Sequence, residues 1–112
     1  MTDIADTATA FPLTGSICRV DYGFMVVEHD YRIPGRLAYR VLSGPVEGAS
    51  ETVDLGITPV RDDIFALDFR DSVGPAVLVL DLAAGSVAFL LMAGPETMRL
   101  TGKLTVVQPS DG

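Results

Sequence analysis

The feature that most constrains the fold of this chain is the spacing of its turn-forming residues. They recur at short intervals, and β-branched or aromatic runs lie between them. Proline fixes the backbone and glycine frees it in the ways that tight turns require. The clearest examples are Pro34-Gly35, Gly44-Pro45, Gly74-Pro75 and Gly94-Pro95. Such spacing, with almost no helical periodicity, is typical of an antiparallel sandwich or barrel.

The runs between the turns predict about eight strands. They are Ser16 to Tyr22, Phe24 to Arg32, Arg36 to Ser43, Glu51 to Val60, Ile64 to Arg70, Ala76 to Leu82, Val87 to Met92 and Met98 to Val107. Short connections favour an up-and-down order of neighbouring strands. We therefore expect an all-β fold, a small antiparallel up-and-down barrel formed by residues 13–107 as one domain. Loose ends are expected at residues 1–12 and 108–112.

Side-chain alternation predicts which face of each strand lies in the core, because successive residues point to opposite sides of a sheet. In the second predicted strand, His29 and Tyr31 share a face with Val27, whereas Glu28 and Asp30 share the other. We expect the first set to point inward. The predicted inner wall continues through Leu37, Tyr39, Val41, Val53, Leu55, Ile57, Phe65, Leu67 and Phe69.

The hairpin at Pro34-Gly35 tests this assignment. A loop of those two residues alone would put Arg40 on the same face as His29. An odd-numbered or bulged loop instead puts Tyr39 beside His29 and leaves Arg40 in water. We predict the odd loop, because burying an unpaired arginine would cost on the order of several kcal/mol.

Charge and hydropathy exclude several kinds of partner. The net charge of −7 repels nucleic-acid phosphates and anionic lipid headgroups, so neither is expected as a partner. The longest apolar run, at 76–91, is broken by Asp81 and Gly85 and is shorter than the roughly 20 residues that span a bilayer. The opening residues lack the basic and apolar regions of a secretory signal, which favours a cytoplasmic location.

The residue types offer little for metal or cofactor chemistry. Cys18 is the one cysteine and His29 the one histidine, so neither an intrachain disulfide nor a zinc site of several such ligands can form. The chain contains no glycine-rich phosphate loop and no nucleophile elbow. We expect no metal and no cofactor.

Three short segments resemble a known family. They are Tyr39 to Gly48 (YRVLSGPVEG), Ile64 to Asp71 (IFALDFRD) and Val77 to Asp81 (VLVLD). Through them the chain, from Leu13 to Val107, resembles the calycin-like barrels related to molybdenum cofactor biosynthesis protein F, the MoaF-like domains. The resemblance implies a lipocalin-like barrel with a central cavity. Such domains often have Tyr-x-x-x-Trp in the fifth strand, where this chain has Phe65 and Phe69, so ligand contacts there would be apolar. The resemblance implies no molybdopterin activity and transfers no catalytic residue.

Two functions stay open for the expected cavity. The first is binding of a small, largely apolar molecule, for example one from secondary metabolism, by Val27, Tyr31, Val41, Phe65, Leu67 and Phe69. The second is a cofactor-free isomerase, cyclase or lyase acting on a hydrophobic natural-product-like substrate, with His29 and Tyr39 as proton-transfer groups. The alternative for these two is a structural role in the barrel wall. Asp81 either lies at the cavity mouth or starts the turn that follows it.

Residues 76–92 predict a partner of another kind. The two strands there are apolar on both faces, unlike the strands in the first half of the chain. A homo-oligomer, in the simplest case a homodimer, would cover the outer face, with Leu80 or Phe89 pointing outward. The alternative cover is the N-terminal segment at Phe11 to Leu13.

Overall fold

The computed structural model describes residues 11–110 and consists there of strands, turns and loops, without a helix. None of this part could therefore cross a membrane as a helix. The structure has the strands β1 (Ile17–Asp21), β2 (Val26–Asp30), β3 (Arg36–Ser43), β4 (Ser50–Asp54), β5 (Gly56–Arg61), β6 (Ile64–Arg70), β7 (Pro75–Asp81), β8 (Ser86–Ala93) and β9 (Glu96–Gln108). They form one antiparallel sheet in which β1 pairs with β2 on one side and with β9 on the other. The predicted up-and-down barrel is confirmed.

The barrel closes at a bend that the sequence did not predict. One residue, Leu55, separates β4, which pairs with β3, from β5, which pairs with β6. The single strand expected over 51–60 is therefore two, because the chain leaves one neighbour and joins the next. Gly56 lies at this corner, and the Asp68 carboxylate occupies the place that a Cβ there would take. β4 and β6 contact each other across the seam without a backbone ladder between them.

The hairpin between β2 and β3 has the predicted register. Its loop, residues 31–35, contains an odd number of residues. His29 lies opposite Tyr39, and Glu28 lies opposite Arg40. His29 is buried. Arg40 lies in solvent, with its Nη2 3.9 Å from Glu28 Oε2. The unfavourable burial of a guanidinium is avoided as expected.

The two ends of the barrel are built differently. The connections β1–β2, β3–β4 and β6–β7 share one end, whereas the N-terminal segment and the β2–β3 and β7–β8 connections share the other. Phe11 closes the second end, where its ring lies edge-on to Tyr31 at 5.3 Å and to Phe65 at 5.4 Å. Phe11 and Leu13 belong to the main core. The alternative that they cover the outer face of residues 76–92 is therefore wrong, and the packed region begins before residue 13.

The outer face of β7 and β8 is apolar, but through other residues than expected. Leu80 is fully buried, and Phe89 points inward beside Leu78, its partner in register. Neither therefore points outward, as one of them was expected to do. The outward-facing side chains are those of Val77, Val79, Ala88 and Leu90, all of them partly buried. We call these four residues the outer stripe.

Candidate functional site

The open end of the barrel leads into a cavity of about 460 Å³. This volume lies within the range of roughly 300–1,000 Å³ found for small-molecule sites. Its wall is mostly apolar and includes Met25, Val27, Leu37, Val41, Leu78 and Leu91. Two further wall residues, Phe69 and Phe89, stack with their planes 12° apart and their centroids 6.5 Å apart. The wall offers flat aromatic and branched aliphatic contacts to a guest.

Exposed apolar side chains surround the mouth of this cavity. Three different connections at the open end each contribute one of these residues: Phe24, Val46 and Val73. Their exposed fractions are 56%, 55% and 55%. Strand alternation does not predict these three positions, because they lie in connections between strands. Apolar groups held in water around an opening are typical of a binding site for apolar molecules.

One row of side chains crosses the inner wall over four adjacent strands. Cys18, His29, Tyr39 and Glu51 are successive partners in the register of β1, β2, β3 and β4. Glu51 was missed by the sequence analysis. Its signal was present, because it stands two residues before Val53 and strand alternation puts both on the same face.

His29 forms a hydrogen bond with the buried hydroxyl of Tyr31, which lies behind the cavity wall. Its Nδ1 lies 3.0 Å from the hydroxyl oxygen of Tyr31. Desolvation by burial lowers the pKa of His29 to about 4 and raises the pKa of Tyr31 well above its usual value. Both side chains are therefore uncharged at neutral pH. The imidazole lines the cavity, whereas Tyr31 lies behind it.

Tyr39 is bound to two carboxylates at the cavity wall. Its hydroxyl oxygen lies 2.9 Å from Glu51 Oε2 and 3.0 Å from Asp71 Oδ2, so one phenolic proton serves both. Burial is the main cause that raises the pKa of Tyr39 above its usual value, and these hydrogen bonds raise it further. Asp71 was not expected here either, although it stands two residues after Phe69.

Glu51 also joins the two sides of the seam. It accepts hydrogen bonds from the Ser72 hydroxyl at 2.7 Å and from the Ser72 backbone N–H at 3.0 Å. These bonds, with that from Tyr39, lower the pKa of Glu51. Asp71 Oδ1 in turn accepts the backbone N–H groups of Val73 at 2.8 Å and Gly74 at 3.1 Å. Side chains thus connect β4 to the β6–β7 turn, where no strand pairing does so.

The structure brings together about half of the residues predicted for a site. Around the cavity are Val27, His29, Tyr39, Val41 and Phe69. Outside it, packed in the main core, are Tyr31, Phe65 and Leu67.

Asp81 ends β7, which places it at the closed end of the barrel and away from the mouth. Its Oδ1 accepts the backbone N–H of Ala84 at 3.0 Å, the bond expected of a residue that starts a turn. Within residues 11–110, no three His, Cys, Asp or Glu side chains lie close enough together to hold a metal ion.

Comparison with known proteins identifies relatives of the whole barrel. The sequence model of the MoaF-like family matches residues 14–105. Nine chains of solved structures match, among them a crystal structure of a "putative beta-lactamase" from Burkholderia vietnamiensis. That protein is 26% identical, the alignment covers 86% of this chain and 96% of that chain, and the TM-score is 0.79. No curated protein matches this chain.

Proposed function

The chain belongs to the MoaF-like family, and from this premise we propose that the domain binds a small, largely apolar molecule in its barrel cavity. The observation that carries the proposal is the cavity of about 460 Å³, apolar inside and ringed by exposed apolar side chains. Protein interiors are otherwise packed as densely as organic crystals, and a void lowers stability. A barrel that keeps this volume free is suited to a guest.

The polar groups at the cavity favour binding over acid–base catalysis. Such catalysts work best with pKa values near the working pH. The pKa of His29 is lowered to about 4, and that of Tyr39 is raised above its usual value. Tyr39 also directs its one proton to carboxylates. The pKa values of His29 and Tyr39 are therefore poorly matched to acid–base catalysis by an isomerase, cyclase or lyase in this cavity.

Among residues 11–110, the cavity lining does not contain the serine–lysine pair of a serine β-lactamase, one form of the activity class named for the Burkholderia protein. Serine β-lactamases pair the nucleophilic serine with a lysine. Lys103, the one lysine of this chain, does not line the cavity. Ser72, which does, donates its hydroxyl proton to Glu51.

The proposal is tested by filling the cavity. Val27→Phe adds an aromatic ring to the inner wall and should weaken binding of Nile red, an uncharged apolar dye, at least about tenfold, because ring and dye compete for one volume. Dye fluorescence during titration gives the dissociation constant. The matched control is Val60→Phe, since Val60 is 59% exposed and lies outside the cavity. Equal affinity of Val27→Phe and the unmodified protein would place the dye elsewhere and contradict the proposal.

We also propose that the domain is a homodimer that buries the outer stripe. Val79 lies at the centre of this stripe, between its register partners Ala66 and Ala88, whose side chains are small. Val79→Glu is expected to give monomers in size-exclusion chromatography with light scattering, because a charge would be buried unpaired in the interface. Val60→Glu should leave the mass unchanged. A monomeric unmodified protein at high concentration would refute the proposal.

We propose the cytoplasm as its location. Cys18 is a free, buried thiol, so the fold depends on no disulfide and needs no oxidising compartment.

A further inference from the structure

The Tyr31 hydroxyl determines which nitrogen of His29 carries the proton. Tyr31 is 2% exposed, and its hydroxyl has His29 Nδ1 as its one hydrogen-bond partner among the described residues. A buried O–H left without an acceptor costs about 1–3 kcal/mol. The arrangement that pairs every group has Tyr31 donating to Nδ1. Nδ1 then carries no proton of its own, and an uncharged imidazole must carry its proton on Nε2.

The Nε2–H group opens on the cavity. Within residues 11–110, no hydrogen-bond partner of Nε2 is present, and no side-chain nitrogen or oxygen is both sealed from solvent and unpaired. Since His29 is 4% exposed and lines the cavity, its accessible nitrogen faces the cavity. A guest that expels water from this place has to offer an acceptor or leave the N–H unpaired.

The mouth of the cavity selects by charge. Glu51 and Asp71 flank Tyr39 there, and the whole chain carries a net charge of −7. No lysine or arginine side chain of residues 11–110 lines the cavity. A carboxylate or phosphate guest would meet like charge without a cation to pair with.

We propose that the guest is an uncharged, largely apolar carbonyl compound whose oxygen accepts the hydrogen bond of His29 Nε2–H. This inference rests on the proposed binding function and adds the chemical class of the ligand. The aromatic pair Phe69 and Phe89 contacts its apolar body. Anionic lipids such as fatty acids are excluded.

The first test uses the free protein. Because His29 is the one histidine of the chain, its ring nitrogens are unambiguous in a long-range ¹H–¹⁵N NMR spectrum. We expect the Nε2–H tautomer in the unmodified protein and a mixture of tautomers in Tyr31→Phe, where the hydroxyl that fixes Nδ1 as an acceptor is gone. The Nδ1–H tautomer in the unmodified protein would overturn the inference.

The second test compares three probes of one shape by calorimetric titration: 2-acetylnaphthalene, 2-isopropenylnaphthalene and 2-naphthoate. The ketone should bind at least about fivefold more tightly than the hydrocarbon, which leaves the N–H unpaired. It should bind at least about tenfold more tightly than the carboxylate. In the double variant His29→Phe, Tyr31→Phe, which replaces both polar partners by rings of similar shape, ketone and hydrocarbon should bind equally.

The outcomes separate the two proposals. Equal binding of ketone and hydrocarbon to the unmodified protein overturns the carbonyl inference and leaves the binding function standing. A preference for 2-naphthoate overturns the selection by charge. If none of the three probes binds although Nile red does, the carbonyl inference is overturned. If Nile red does not bind either, the proposed function itself is contradicted.

Discussion

Phe11→Ala is expected to lower the free energy of unfolding by about 3–5 kcal/mol. Phe11 is 3% exposed and packs edge-on against Tyr31 and Phe65 at the closed end of the barrel. Its removal opens a void there that the surrounding strands cannot fill, because the backbone ladders hold them in place. Losses of this size are a large part of the stability of a small domain.

Urea unfolding followed by circular dichroism measures this effect. Phe24→Ala is the matched control, because Phe24 is 56% exposed at the opposite end, and its unfolding free energy should change by no more than about 0.5 kcal/mol. If the two variants were equally stable, Phe11 would not close the barrel.

The second large effect is a loss of stability in mild acid that depends on His29. The pKa of His29 is about 4 in the folded protein and about 6.5 in an unfolded chain. Between these values the unfolded state binds more protons, so stability falls as the pH drops through 6.5 and continues to fall until about pH 4. The expected loss is about 3 kcal/mol between pH 7 and pH 4.

Carboxylates titrate in the same range, so the contribution of His29 is measured as a difference. The double variant His29→Phe, Tyr31→Phe keeps every carboxylate and should lose about 3 kcal/mol less than the unmodified protein over this range. The register partners of His29 are Cys18 and Tyr39, which are uncharged throughout. Parallel curves for the two proteins would show that His29 becomes protonated without a penalty and is not buried as described.

Much of the fold could be predicted from the sequence because its signals are local. Alternation with a period of two placed His29 and Tyr39 on the inner wall and Arg40 in water, and the register of β2 and β3 agrees. Turn residues marked the connections for the same reason, since they act on the backbone dihedrals of their own few residues. The same alternation applied to Glu51 and Asp71 would have identified the carboxylates of the site.

Phe11 and Asp81 show where local signals end. Phe11 precedes the first strand and belongs to no periodic pattern. The sequence therefore did not predict its contacts with Tyr31 and Phe65. The local sequence around an aspartate that ends a strand does not distinguish the open end of a barrel from the closed end. The packing of Phe11 decided that this end is closed, and the direction of β7 puts Asp81 there.

The sequence by itself determined most of the strands, the inward faces of those in the first half of the chain and the predominantly apolar lining, because each depends on the spacing of neighbouring residues. The tertiary structure alone decided the bend at Leu55 and Gly56 and the meeting of Glu51 with Ser72 across the seam, two residues that are 21 positions apart in the chain. It also decided which end stays open. These features depend on how the curvature of the nine strands in residues 11–110 brings distant segments together, and the closure of a sheet is a property of all its strands at once.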